Sequence, residues 1–287
     1  MDLAIWAGGR LRAPDEPVLT AVDHGLTVGD GVFETCAVVH GAAFALTRHL
    51  ARLAASARGL GLPPLPMAEV REGVRAVLEA AGEHAGRVRI TVTGGPGPMG
   101  SYRWSADEQR PTVVVVAGPA TTLDVSRAVR VPWVRNERSP LAGLKTTSYG
   151  ENVVALARAR ERGADEALLA DTRGRLCEGT GSNVFVETGG ELVTPALETG
   201  ALAGITRELL LLWGPQAGLP VREARPGELP WEVLEDVVAG RAGLALTGSI
   251  RNVTPVVRLD DVEVAPGPLS REAQRLFLAR MADDVDP

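Results

Sequence analysis

Lysine is almost absent from this 287-residue chain: of thirty basic residues, all but Lys145 are arginine. Aromatic residues make up only 4%, and there are two cysteines and four histidines. Cys36 and Cys177 build no disulfide framework and suit a reducing cytoplasm. His24, His40, His49 and His84 are scattered, none at a zinc-like spacing from a second ligand, so no metal is expected. No apolar run approaches the roughly 18 residues of a membrane span. The strongest, Leu209 to Trp213, is far too short. The start, Met1 to Trp6, has no basic region before a long apolar segment, so no signal peptide is expected. The net charge of −6 is the wrong sign for a nucleic-acid footprint. A Gly-x-Ser-x-Gly elbow is missing as well, although Ser–His pairs meet in space and spacing alone leaves acyl transfer open.

What remains is an ordinary folded composition, 45% apolar and 23% charged, long enough for about two domains at roughly 150 residues each. A hairpin is expected from Leu3–Trp6 and Arg10–Arg12 across Gly8-Gly9. Val32 to His40 reads as a strand, with Ala43–Leu46 as its partner. Thr47 is placed to cap a helix that Gly59 would end, with Leu50, Leu53, Ala54 and Ala57 on one face. A second helix spans Met67 to Ala81, followed by strands at Arg87–Thr93 and Thr112–Ala117. Further on, strands are expected at Ala128–Val134, Ala167–Ala170, Asn183–Glu187, Glu191–Thr194, Leu244–Thr247 and Pro255–Arg258. Helices are expected at Glu151–Arg162, Thr206–Trp213 and Ser270–Met281. The class is α/β or mixed α+β in two domains, a smaller one at 1–118 and a larger one at 127–287, with 119–126 as linker.

Lys145 is a chemical exception. Its amine can lose a proton and attack a carbonyl, which a guanidinium cannot do. A lone lysine among arginines is therefore a candidate Schiff-base nucleophile, beside the plain reading of a residual surface cation. Gly95-Pro96-Gly97-Pro98-Met99-Gly100 fits the dinucleotide pattern in letters only, because its prolines argue for a loop and not a helix start. Glu178 precedes Gly179-Thr180-Gly181-Ser182, where small residues let backbone approach a ligand; a tight turn with a solvated Glu is the simpler reading. Gly204-Ile205-Thr206-Arg207 opens a helix whose free N–H groups suit an anion, and Thr247-Gly248-Ser249 is a second hydroxyl-bearing turn. Either is equally an ordinary helix start or turn. Arg48 and Arg52 share a helix face, by default a solvated one. Asp30 and Glu34 would share a strand face, without other signs of sugar chemistry. Together the signals supply an amine, an acid in a close-approach loop, two anion turns and an arginine. Those are the parts that hold pyridoxal phosphate.

The chain resembles the fold-type IV pyridoxal-phosphate enzymes, which include D-amino-acid and branched-chain aminotransferases, (R)-amine transaminases and aminodeoxychorismate lyases. The resemblance covers nearly the whole chain. It rests on Asp23-His24-Gly25, Gly29 to Glu34, His49 to Leu53 with Ser56-Ala57, Leu144-Lys145, Glu178-Gly179, Ser182 to Phe185, Leu202 to Arg207 and Asn252 to Val256. It implies that Lys145 forms the Schiff base and moves the proton at the substrate carbon. Glu178 pairs with the pyridinium nitrogen, Leu202 packs on the ring, and Arg52, Ile205, Thr206 and Ser249 hold the phosphate. Ser182, Asn183 and Ile250 join them around the cofactor. Phe33, Thr35, Met99, Ser101 and Arg103 face the substrate. The resemblance also implies a homodimer, with the Gly94–Trp104 loop reaching the neighbouring subunit's site.

The departures are specific. Where D-amino-acid aminotransferases trap the substrate carboxylate with Tyr, Arg and His, this chain has Phe33, Met99 and Ser101, leaving Arg103 or Tyr102 as substitutes. The Tyr that follows the branched-chain lysine by five residues is replaced by Gly150, with Tyr149 one position early. The leading expectation is amino-group transfer from a D-amino acid or (R)-amine to a 2-oxo acid. The alternative is a lyase releasing 4-aminobenzoate and pyruvate from aminodeoxychorismate. A cofactor carrier and a phosphate-independent Schiff-base aldolase are the outlying readings.

Overall fold

The computed structural model describes residues 3–287, so Met1 and Asp2 of the N-terminal stretch lie outside it. The chain forms two compact units. One takes the chain up to Thr121, then Leu144–Tyr149 and Asp284–Pro287; the other takes Thr122–Gly143 and Gly150–Asp283.

The first unit contains β1 (Ala4–Ala7), β2 (Arg10–Arg12), α1 (His24–Thr27), β3 (Gly31–Val39), β4 (Ala42–Ala43), α2 (Leu46–Leu60), α3 (Met67–Ala81), β5 (Arg87–Thr93) and β6 (Thr112–Gly118). Its six strands form an antiparallel sheet in the order β2-β1-β6-β5-β3-β4. Alternation decides the two faces. Val32, Cys36, Val88, Ile90, Val92, Val113 and Val115 point to one side, where Leu50, Leu53 and Ala57 of α2 and Val70, Val74 and Val77 of α3 cover them. Gly73 lets α3 lie close, since a Cβ there would meet the Trp6 ring at 2.7 Å. The opposite face carries Phe33, Thr35, Arg87 and Arg89.

Two details of α2 differ from the sequence expectation. Thr47 lies inside the helix and does not cap it. The N-cap is Ala45, in the left-handed region at φ 51° with no side-chain cap. The Thr47 N–H and hydroxyl instead donate to the Asp286 carboxylate at 2.8 and 2.6 Å, a partner at the far end of the chain. Gly59 does not end the helix either; Gly61 does, at φ 77°. Gly59 leaves room for Leu144, whose Cδ2 would stand 2.6 Å from an added Cβ.

The second unit contains β7 (Ser126–Arg135), α4 (Gly150–Glu161), β8 (Glu166–Asp171), β9 (Leu176–Gly179), β10 (Asn183–Thr188), β11 (Glu191–Thr194), α5 (Ile205–Gln216), β12 (Val221–Glu223), α6 (Val233–Val238), β13 (Gly243–Gly248), β14 (Asn252–Leu259), β15 (Val262–Glu263) and α7 (Pro268–Asp283). Eight strands run in the order β12-β11-β10-β13-β14-β7-β8-β9, with β15 paired to β14. The sheet is mixed. β7 pairs parallel with β8 through the α4 crossover and with β14, while β10, β13 and β14 are antiparallel neighbours. β8 and β9 are buried along their whole length, and with them the carboxylates of Glu166, Asp171 and Glu178. Gly189 and Gly190, at φ 59° and 80°, turn β10 into β11 as a two-residue hairpin. α6 and β12 were not anticipated; both are too short for periodicity to reveal. Among the described residues no helix is long and apolar enough to cross a membrane.

Candidate active site

In the first unit the segment from Leu144 to Tyr149 lies along the start of β3. The Phe33 N–H donates to the Lys145 carbonyl at 3.1 Å and the Thr147 N–H to the Gly31 carbonyl at 2.8 Å, with Val32 and Thr146 bridged. The Lys145 N–H donates to Ser56 Oγ of α2 at 3.1 Å. The Thr147 and Ser148 hydroxyls both donate to the Gly29 carbonyl, at 2.8 and 3.0 Å. The backbone around the lysine is thus fixed on both sides.

The side chains gather on the Phe33 ring. Lys145 Nζ stands 4.4 Å from its centroid and 5.9 Å from that of Tyr149. The two rings meet edge to face at 5.2 Å. Tyr149, one residue early by the branched-chain spacing, still reaches the amine. Arg89 stacks its guanidinium carbon 3.9 Å over the same Phe33 ring, and its Nε donates to the Thr91 hydroxyl at 3.3 Å. It pairs with no carboxylate among the described residues. Thr35 stands opposite Arg89 in the β3–β5 register.

Beneath the strand, Glu34 is fully buried and grips two groups of α2. His49 Nδ1 lies 2.6 Å from Oε2, and Arg52 bonds both carboxylate oxygens at 2.7 Å. Burial works to raise the Glu34 pKa, but the Arg52 charge and hydrogen bonds, with those of His49, outweigh it and hold the carboxyl at about 2. Burial pushes His49 below its ordinary value, so its neutral form donates to Glu34. The pairing sets the plane of the Arg52 guanidinium. Arg48 turns away, its Nε donating to the Pro287 carbonyl.

Asp30 and Glu34 are not a carboxylate pair. Asp30 precedes β3 and is taken by Arg103, whose Nε and Nη2 donate to its two oxygens at 2.7 and 2.6 Å. Arg103 also donates to the Leu60 and Gly61 carbonyls at the end of α2. With Ser101, Val28, Gly29, Leu60 and Ser148 this pair lines a cleft of about 460 Å³. Met99 stands apart, 91% exposed. The Gly95–Gly100 stretch opens no helix.

The second unit collects the other candidates. Glu178 Oε2 accepts the Leu202 N–H at 2.8 Å, and Asn183 Nδ2 donates to the Leu202 carbonyl at the same distance. Leu202 is therefore clasped through its backbone. Arg135 of β7 brings its Nε to 3.3 Å from Glu178 Oε1. α5 starts at Ile205 after Gly204 with no side-chain cap, so its first N–H groups keep their anion-binding capacity. Gly204 packs against Asn183, whose Oδ1 would stand 1.9 Å from an added Cβ and would have to move. Thr247 lies opposite Asn183 on β13, and its buried hydroxyl has no hydrogen-bond partner. Ser249 and Ile250 follow in the turn to β14. A carboxyl group beside Arg135, an uncapped helix start and the unsatisfied hydroxyl of Thr247 fit a phosphorylated pyridine. Arg89 and Arg135 escaped the sequence reading, and Glu34 was read only as a possible partner of Asp30. Only Arg89 had a signal, as a charge alternating with Val88, Ile90 and Val92 along a strand.

Residues 31–259 match the family Amino-transferase class IV. A protein of Methanocaldococcus jannaschii, provisionally named a branched-chain-amino-acid aminotransferase, is 30% identical over 263 residues, 90% of this chain and 88% of its own. The D-alanine aminotransferase of Bacillus licheniformis is 27% identical, covering 95% of both chains. The aminodeoxychorismate lyase of Bacillus subtilis is 28% identical over 90% of this chain and 87% of its own. Among solved structures, a fold IV transaminase of Curtobacterium pusillum superposes with a TM-score of 0.81 at 29% identity, covering 98% of this chain and 99% of that one. A hypothetical aminotransferase of Mycobacterium tuberculosis in its pyridoxal-phosphate-bound form gives 0.83 at 26% identity and the same coverage. The chain belongs to the class IV aminotransferases, transaminases that depend on pyridoxal phosphate.

Proposed function

We propose that this protein moves the amino group of an apolar α-amino acid to a 2-oxo acid, with Arg89 taking the substrate carboxylate. The observation that carries this is the shared Phe33 ring, with Lys145 Nζ and the Arg89 guanidinium both stacked on it. Arg103 is the weaker choice, since Asp30 already engages it in two bonds. Pyridoxal phosphate, when bound, supplies the aldehyde that takes the amine and a ring that withdraws electrons from Cα. Lys145 anchors that aldehyde and moves the proton at Cα. Glu178, held by the Leu202 N–H and beside Arg135, would hold the proton at the ring nitrogen. Arg52 and the Ile205, Thr206 and Ser249 groups hold the phosphate. Arg89 fixes the carboxylate by charge-assisted hydrogen bonds. A homodimer is part of the same reading, checked by light scattering.

The branched-chain reading of the donor is favoured by the Methanocaldococcus relative and by the lack of a D-type trap at Phe33, Met99 and Ser101. A D-amino acid or (R)-amine donor is the second reading, favoured by the Bacillus licheniformis D-alanine relative. The test adds L-valine, L-leucine, D-alanine and D-glutamate singly to the purified yellow protein, without keto acid. Bleaching by the L-amino acids supports the first reading and bleaching by the D-amino acids the second. Pyruvate released from aminodeoxychorismate with no bleaching by either set would replace both with the lyase.

A further inference from the structure

Glu166, the first residue of β8, has no part in the chemistry above, yet its carboxylate accepts five hydrogen bonds. Its side chain is 3% exposed. Oε1 accepts the N–H of Ala167 at 3.0 Å and of Thr180 at 2.8 Å, and the Thr180 hydroxyl. Oε2 accepts the Ser182 hydroxyl at 2.7 Å and the Gly181 N–H at 3.3 Å. These donors fill the carboxylate, so it is not placed to accept a substrate proton. Gly179 exists for this contact: a Cβ there would lie 2.8 Å from the Glu166 carboxyl carbon. The middle of the Glu178–Asn183 bend, from Gly179 to Ser182, is therefore wrapped around one buried carboxylate.

The same anion reaches the other side of the candidate site. Arg251 Nη2 lies 3.7 Å from Glu166 Oε2, and Arg251 Nη1 donates to Asp165 Oδ1 at 2.6 Å and to the Ser126 hydroxyl. Arg251 directly follows Ser249 and Ile250. The two loops touch, because a Cβ on Gly248 would stand 3.3 Å from the Gly181 carbonyl. Adjacent carboxylates at the start of β8, Asp165 just before it and Glu166 within it, thus tie down the acid-bearing bend and the hydroxyl-bearing turn together.

We propose that Glu166 is a positioning residue that couples the Glu178–Asn183 bend, on the ring side of the cofactor, to the Ser249–Arg251 turn, on its phosphate side. The proposal rests on the cofactor roles given above for those two loops. Replacing Glu166 by Gln keeps the volume but turns one acceptor into a donor facing N–H and O–H groups. Both loops then lose their common anchor, while Arg251→Gln releases the phosphate-side turn alone.

The test titrates apo wild type, Glu166→Gln and Arg251→Gln with pyridoxal phosphate and with pyridoxal, following absorbance. Apo melting temperatures are measured in parallel. Glu166→Gln is expected to raise Kd about tenfold for pyridoxal phosphate and to weaken pyridoxal as well. Arg251→Gln is expected to weaken pyridoxal phosphate several-fold and to leave pyridoxal within about twofold. A purely structural role lowers the apo melting temperature and leaves both ligands bound as in wild type; that result overturns the proposal. Should Glu166→Gln not fold, Arg251→Gln decides alone, and equal loss of both ligands, or loss of neither, overturns it. A wild type that binds no pyridoxal phosphate overturns the cofactor reading beneath it, before any variant is compared.

Discussion

The two units position their candidate groups by different means. In the first, Lys145, Arg89 and Tyr149 are placed by side chains stacking on one aromatic ring of a sheet face. In the second, Glu178, Leu202 and the start of α5 are placed by backbone hydrogen bonds and by glycines that admit no Cβ. Stacking tolerates a range of side chains on a fixed backbone, so the first unit is suited to vary in what it binds. A clasp made of N–H groups and glycines has fixed geometry, so the second is suited to hold one invariant group. On the proposed function, the first region sets specificity besides supplying Lys145 and Arg52, and the second clasps the rest of the cofactor.

The largest expected effect breaks the first region at its centre. Lys145→Ala removes the only amine and is expected to lower kcat roughly 10²–10⁴-fold, with loss of the yellow imine band on adding pyridoxal phosphate. Retention of that band would refute Lys145 as the anchor. Next comes the buried anion under the same strand. Glu34→Gln replaces the buried carboxylate that Arg52 and His49 grip with a neutral amide and should cost about 3–5 kcal/mol, read from denaturant midpoints. Its pH dependence has a definite sign. The folded carboxyl is held at about 2 against 4.5 ordinarily, so its contribution is complete above 4.5 and is lost as pH falls from there towards 2. The span corresponds to roughly 3 kcal/mol. His49 adds to the loss in acid, because a histidine held neutral by burial disfavours the fold once the unfolded chain begins to bind its proton, below the ordinary value of 6.5. Urea midpoints in wild type and Glu34→Gln from pH 7 to pH 3 should therefore converge.

The second region is broken by one methyl group. Gly204→Ala places a Cβ against Asn183 Oδ1 and is expected to cost about 1–3 kcal/mol together with weaker pyridoxal-phosphate binding. An alanine variant of wild-type stability and affinity would show that the clasp is not tight. Sharpening the contrast, Arg89→Met should raise KM for the 2-oxo acid about tenfold or more, from a lost charge-assisted bond, while leaving cofactor affinity alone. Equal damage to both constants would erase the division between the regions. Met99→Ala, at an exposed loop tip, should change stability by less than about 0.5 kcal/mol.

Much of this was legible locally. The period-2 run from Arg87 to Thr93 and the helical spacing from Met67 to Ala81 match the observed elements end to end, because burial of one face is written into the order of residues. Lys145 stood out by chemistry alone, being the single side chain able to form an imine in an arginine-rich chain. The small residues from Gly179 to Ser182 marked a place where backbone comes close to something.

What order along the chain could not express is which partner each polar group finds. Thr47 precedes a helical run and reads as its cap, yet its hydrogen bonds go to Asp286, 239 residues away. Arg103 reads as a spare cation for substrate, yet Asp30, 73 residues earlier, consumes it. Arg89 reads as one arginine among many, and only the β3–β5 register sets it over Phe33. Glu166, just before the strand expected at Ala167–Ala170, drew no notice in the sequence and is buried against the loop around Ser182. Periodicity fixes which face a side chain takes, since that depends on nearest neighbours. Charge and hydrogen-bond partners depend on distances through space, which are set only when the sheets close and bring remote segments together.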